Sequence, residues 1–181
     1  MSLKILDDRI EANRAEAHRL KANHRDFTQT VASDPRLTLF AKQDDQNAGK
    51  KELQQKLDAL WGREKQLVAD GIRDLQRRVY GTAGTTPDAV ISFRDAQERA
   101  GRLAKEEDAL PVMTRALVNQ DAGMADALLA RAFDQNWANV IQAYAAEYPL
   151  KAQDVSDLNQ LTVFQNNLAG QMEAALIYGA P

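Results

Sequence analysis

Apolar residues near the start of the chain recur at alternating spacings of three and four positions. Two polar residues, Asn13 and His24, continue the same series. This spacing is the heptad seam of a coiled coil, and the charges of both signs between its members suit the solvated faces of a paired helix. One stripe cannot bury itself, so the segment needs a partner helix. The seam comprises Leu3, Leu6, Ile10, Asn13, Ala17, Leu20, His24, Phe27 and Val31.

A second helix is predicted to fold back on the first. Ser33-Asp34-Pro35 should end the first helix, because a residue before proline is pushed out of the helical region. Apolar residues from Leu37 to Val79 predict the returning helix, with an interruption at the polar run 43–49. Residues 1–80 are therefore expected to form an extended antiparallel helical hairpin that resembles a coiled coil.

Small and polar residues at 81–87 predict a linker, and residues 88–181 are expected to form a small helical bundle. Helices are predicted from Pro87 to about Asp108, from Pro111, and over two short segments separated by a turn at 134–136. The last helix should begin near Ser156 or Asp157. No stretch has the alternating pattern of a strand, so the predicted fold class is all-α. The apolar positions of the last helix are Leu158, Leu161, Phe164, Leu168, Met172 and Leu176.

Composition narrows the classes of function. The chain has no cysteine, which excludes disulfides and thiolate chemistry. Its net charge of -3 combines a slightly basic segment 1–80 with an acidic segment 81–181, and the signs alternate along the chain. Nucleic acid is therefore not an expected partner. No segment approaches the roughly 20 apolar residues of a membrane span, and a cytoplasmic location is expected.

Residues suited to catalysis or metal binding are few. His18 and His24, the two histidines, are six positions apart on a helix and point in different directions. Asp44-Asp45 and Glu106-Glu107-Asp108 lack the spacing of a calcium loop and are interpreted as solvated helix ends. No nucleotide-binding or hydrolase motif is present. We therefore expect no catalytic residue, metal or cofactor, and no enzymatic activity.

The two polar members of the seam have alternative interpretations. Asn13 could fix the register or the number of associated helices at a cost in stability, or it could lie at a frayed edge. His24 could make the seam sensitive to pH, or it could be an ordinary, partly exposed polar residue.

Three aromatic residues, Trp137, Tyr144 and Tyr148, are spaced to lie on one face of a helix. One interpretation places them in the core of the bundle, because Val140 and Ile141 belong to the same segment. The other makes them an exposed anchor for a protein partner.

The segment from Asp121 to Leu161 resembles small helical proteins encoded among the virion genes of tailed phages and prophages of actinobacteria. The likeness covers about a quarter of the chain and consists of a helical pair whose second member is rich in aromatic residues and ends in proline. The segment also resembles a tetratricopeptide unit, but no second copy follows at the repeat length of roughly 34 residues. The phage resemblance implies a structural role and transfers no functional residue. Its central stretch reads ALLARAFDQNWANVIQAYAAEYP.

These observations lead to an expected function. The chain should be a non-enzymatic structural or assembly protein of a tailed-phage particle, which acts by forming homo-oligomers through the hairpin seam and by contacting other proteins of the assembly. It would then occur in the host cytoplasm during assembly and afterwards in the virion. The alternative is a cytoplasmic helical adaptor or regulatory binding module.

Overall fold

The structure is a computed structural model that describes residues 3–81 and 87–180. The all-α fold is confirmed, and the described residues form eight helices. Within those residues no helix is long and apolar enough to cross a membrane. The helices are α1 (Leu3–Ser33), α2 (Leu39–Tyr80), α3 (Pro87–Gly101), α4 (Glu106–Val118), α5 (Ala122–Gln135), α6 (Ala138–Glu147), α7 (Ala152–Asn166) and α8 (Leu168–Tyr178).

The chain folds as two compact units. The first comprises Met1–Gly71 and Phe164–Pro181, and the second comprises Ile72–Val163. This division differs from the boundary predicted at 81–87, of which residues 82–86 lie outside the described part of the chain. The chain passes between the units within α2 and within α7, so α8 belongs with the hairpin and not with the bundle.

In the first unit, α1 and α2 form the expected antiparallel hairpin. Asn13 donates a hydrogen bond to the carbonyl of Leu60, Phe27 lies beside Gly49, and Lys42 donates to the carbonyl of Ala32. The partner on α2 thus moves toward lower numbers as the position on α1 rises, which defines opposite helix directions. Between these contacts lies a cluster of buried apolar residues from α1, α2 and α8, made by Ala17, Leu53, Leu57, Ala174 and Tyr178.

The end of α1 agrees with the sequence prediction, whereas the predicted interruption of α2 is absent. α1 ends at Ser33, as the following Asp-Pro pair predicted. α2, however, is continuous through the polar run 43–49, because those side chains are mainly exposed and interrupt no packing. Gly49 in this run lies against Phe27, whose Cε1 would be 2.6 Å from a Cβ added at Gly49. The glycine therefore leaves room for the ring.

The second unit is organised around α5, which packs against α3, α4 and α6. Six consecutive residues, from Met124 to Leu129, are buried, as expected for a helix surrounded by others. The Asp121 side chain caps this helix by accepting from the Met124 amide at 3.0 Å, and Asn136 ends it in the left-handed conformation. The turn at 134–136 was predicted from the sequence.

Several predicted boundaries in the C-terminal half are wrong, including the start of the last helical segment, which lies at Ala152 and not near Ser156 or Asp157. α3 ends at Gly101, and Pro111, which we expected at the start of a helix, lies inside α4. α4 begins instead at Glu106, where three successive acidic residues complement the positive end of the helix dipole. The single last helix is in fact two helices, because Asn167 interrupts the pattern between α7 and α8.

Candidate protein interaction surface

Helix α8 begins with a defined cap. The Asn167 side chain accepts a hydrogen bond from the Ala169 amide at 3.0 Å, which satisfies one of the free amides of the first turn. Nine of the following eleven residues, all but Gln171 and Glu173, are apolar or glycine. A helix with this composition has more apolar surface than a single neighbour can cover.

The inner face of α8 is held on the hairpin by packing and by a buried hydrogen-bond cluster. Ala174 and Tyr178 belong to the apolar cluster of the first unit. The Tyr178 hydroxyl donates to Glu64 Oε2 at 2.6 Å and accepts from Asn13 Nδ2 at 2.8 Å. Arg14 donates to both oxygens of Glu64, at 2.9 and 3.1 Å. Three helices therefore meet at one set of polar side chains, and these contacts fix the position of α8.

The electrostatics of this cluster keep Tyr178 neutral and Arg14 charged near neutral pH. Burial, together with the hydrogen bond to Glu64, raises the pKa of Tyr178 above its usual value. The same carboxylate raises the pKa of Arg14 by hydrogen bonding. A neutral phenol and a charged guanidinium thus converge on Glu64. This is a structural arrangement, because a buried carboxylate with three donors needs no further ligand.

The outer face of α8 is different, because large apolar side chains are exposed there. Leu168, Met172 and Leu176 are 70%, 63% and 80% exposed. They are four residues apart, so they follow one another along the helix on the side opposite Ala174. We call these three residues the α8 stripe. The sequence singled them out as core positions of the last helix, but the structure buries only Leu158 and Leu161 of that series.

A groove of about 660 Å³ lies in the first unit, between α2 and the segment from Phe164 to Ala174. Trp61 and Phe164 contribute aromatic walls, and Lys65 Nζ lies 3.9 Å from the centroid of the Trp61 ring. The groove also contacts Glu64, whose carboxylate is already engaged by Arg14 and Tyr178. Its remaining lining is mixed polar and apolar.

The predicted seam residues lie mostly inside the hairpin. Leu6, Ile10, Asn13 and Val31 are buried, Leu3, Leu20 and His24 are half-buried, and Phe27 is exposed on one side. The seam therefore packs within the chain as the core of the hairpin, whereas association of separate chains through it stays a prediction.

The two polar seam residues have distinct surroundings. Asn13 is 6% exposed and bonded to both α2 and α8, so it does not lie at a frayed edge. Its Oδ1 has no hydrogen-bond partner among the described residues. His24 lies beside Phe27, with ring centroids 6.2 Å apart, and its Nε2 is 3.5 Å from the Thr28 hydroxyl. Both therefore serve contacts within the first unit.

The predicted aromatic face is the core of the second unit. Trp137 and Tyr144 are buried, and Tyr148 is half-buried with its ring centroid 4.6 Å from that of Tyr144. These residues therefore fit the interpretation as core of the bundle. An exposed anchor for a partner would require solvent-exposed surface, which Trp137 and Tyr144 do not have.

A polar cluster that the sequence did not indicate lies beside this core. Tyr144 donates to Asp126 at 2.6 Å, and Lys151 Nζ bonds to the Tyr144 hydroxyl at 3.2 Å and to the Val79 carbonyl at 2.5 Å. Burial raises the pKa of Asp126, although the hydrogen bond from Tyr144 opposes this. The one sequence signal for this cluster was Asp126, a lone aspartate in the apolar run from Met124 to Leu129, but its partner Tyr144 is eighteen residues away.

In the described part of the chain, no three histidine or acidic side chains converge as metal ligands would. Comparison with models of known families, with curated proteins and with solved structures finds no match to this chain. The α8 stripe is a row of exposed large apolar side chains, which is the kind of surface that protein partners cover.

Proposed function

We propose that this chain is a non-enzymatic helical structural or assembly protein, which acts by contacts with other proteins and with copies of itself. The single observation that carries the proposal is the α8 stripe, three large apolar side chains in a row that are exposed on a helix held firmly from behind. Scattered exposed apolar residues are normal on protein surfaces, whereas a contiguous patch marks an interaction site.

The hairpin supports this role as a rigid platform. Salt bridges and buried hydrogen bonds from Arg14 and Asn13 connect α1 to both α2 and α8, so the stripe is presented on a helix of fixed orientation. A preorganised surface loses less conformational entropy on binding than a mobile one. This suits a protein whose contacts must repeat with the same geometry in an assembly.

The assembly we propose is the particle of a tailed phage, as a virion or morphogenesis component. This part of the proposal is supported by the resemblance of residues 121–161 to helical proteins encoded among virion genes. Mass spectrometry of purified particles from the phage or prophage that encodes the chain tests it directly. Peptides of this chain in particles or in assembly intermediates would support the role, as would neighbouring capsid, portal or tail genes. Neighbouring metabolic or regulatory genes, with no peptides in particles, would contradict it.

A cytoplasmic adaptor is the second candidate, and the groove beside Trp61 and Phe164 favours it. A groove between helices that has aromatic walls and a polar rim can receive an amphipathic helix of a partner. Substitution of Trp61 by Ala separates the two candidates. If this variant loses a co-purifying protein, the groove is the binding site. If the protein is lost only when Met172 is substituted, the α8 stripe is the binding site.

A further inference from the structure

The stripe on α8 has a symmetry that bears on its partner. Leu168 and Leu176 are each four residues from Met172, so the pattern reads the same in both directions along the helix. A surface that pairs with a second copy about a two-fold axis must be complementary to itself in this way. An antiparallel pair of α8 helices would place Met172 beside its counterpart on the axis and Leu168 of one copy beside Leu176 of the other.

Charge also favours a second copy. The one charged residue of α8 is Glu173, which points to Arg14 of its own chain at 3.3 Å, so no like charges oppose each other across the axis. Antiparallel helices additionally align their dipoles favourably. A helix that lies on a membrane surface would normally carry Lys or Arg along its polar face, and α8 has neither.

We propose that α8 is a self-association surface through which two copies of this chain pair antiparallel about Met172. This inference rests on the proposed function, because it names the partner of the same surface. Methionine on the axis suits such a contact, since its flexible thioether adapts to a neighbouring copy.

The size of the surface sets the strength of the pair. An 11-residue helix is about 16 Å long and about 10–12 Å wide, which is a fraction of the roughly 800 Å² that each partner buries in a standard interface. The pair should therefore be reversible, with a dissociation constant of roughly 10 µM to 1 mM. In an assembly that holds many copies close together, such weak contacts are sufficient.

Disulfide trapping tests the geometry directly, because the chain contains no cysteine of its own. Met172→Cys should form a covalent dimer under mild oxidation at about 100 µM, since residues on the axis come within the Cα separation of about 4.4–6.8 Å that a disulfide requires. Leu168→Cys alone should not, because the two copies of residue 168 would be about 12 Å apart along the helices. A mixture of the Leu168→Cys and Leu176→Cys chains should again cross-link.

Leu150→Cys is the matched control for random collision, because Leu150 is 99% exposed and lies in the other unit. We expect Met172→Cys to cross-link at least about tenfold faster than this control. An equal rate, or equally fast cross-linking of Leu168→Cys alone, would overturn the proposed pairing.

The outcome is separable from that of the proposed function. A wild-type dimer without trapping at residue 172 would refute the α8 pairing and leave an assembly role in place. Fast trapping at residue 172 in a chain that is absent from phage particles would support the pairing and refute the phage assignment.

Discussion

Replacement of Tyr178 by Phe tests whether α8 is fixed to the hairpin by the buried polar cluster. The substitution removes one hydroxyl and keeps the ring, so the apolar packing with Ala17 and Leu57 is preserved. Two hydrogen bonds are lost: the one to the Glu64 carboxylate at 2.6 Å and the one from Asn13 at 2.8 Å. Any loss of stability therefore comes from the polar contacts.

The expected magnitude follows from the two bonds. A hydrogen bond to a charged group contributes about 1.5–3 kcal/mol and a neutral one about 0.5–1.5 kcal/mol. Glu64 retains Arg14 and Asn13 retains the Leu60 carbonyl, so neither is left without a partner. We therefore expect Tyr178→Phe to lower the free energy of unfolding by about 2–3 kcal/mol, toward the lower end of the summed range.

Urea unfolding followed by fluorescence measures this loss unit by unit. The two tryptophans lie one in each unit, Trp61 in the first and Trp137 in the second. Single-tryptophan variants therefore report the units separately, and the loss should appear in the signal of Trp61. Tyr148→Phe is the control, because the Tyr148 hydroxyl makes no hydrogen bond to a described residue and its removal should cost less than about 0.5 kcal/mol.

Equal effects of Tyr178→Phe and Tyr148→Phe would refute the reasoning. A double-mutant cycle with Asn13→Ala sharpens the test, because the two residues contact each other and should show a coupling of at least about 0.5 kcal/mol. Additive losses would mean that the bond between them contributes nothing.

Three further predictions concern local features. Gly62→Ala should raise the free energy of unfolding by about 0.5–1 kcal/mol, because a Cβ there meets no atom within 4 Å. Gly49→Ala should raise the free energy of unfolding by less, since Phe27 must move, and urea titration of both variants measures the difference. Asn167→Ala should lower stability by about 1 kcal/mol through loss of the α8 cap, and amide exchange should accelerate in the first turn of α8 but not in α5. The folded pKa of Asp126 is raised, so the contribution of this carboxyl group to stability is present below about pH 4 and is lost as pH rises through the folded pKa. Urea titrations should therefore show that the stability of Asp126→Asn relative to wild type increases from about pH 4 to pH 7. A difference that does not change with pH would contradict the buried carboxylate.

Much of the hairpin could be predicted from the sequence because its signals are local. The Asp34-Pro35 pair ends α1 by steric exclusion, and the seam positions from Leu6 to Val31 follow a regular spacing. The same reasoning gave the antiparallel return, since a short turn after one long helix leaves the next helix beside it. Fold class and helix pairing therefore follow from periodicity.

The contacts of the last helix could not be predicted in this way. Leu168, Met172 and Tyr178 are all apolar or aromatic, and α8 is apolar around most of its circumference. Periodicity therefore does not show which of these side chains packs against the hairpin. The assignment of α8 to the hairpin depends on Asn13 and Glu64, which are more than a hundred residues away in sequence. Such long-range polar contacts leave no trace in local spacing.

Sedimentation equilibrium of the full chain tests the central claim, that α8 presents a self-association surface, most directly. The account predicts that the average mass rises from 20.1 kDa toward twice that value between about 10 and 500 µM. Met172→Asp should remain monomeric over the same range, whereas Leu150→Asp, at an exposed site in the other unit, should behave as wild type. A wild-type chain that stays at its monomer mass at about 500 µM, or a Met172→Asp variant that dimerises as well as wild type, would contradict it.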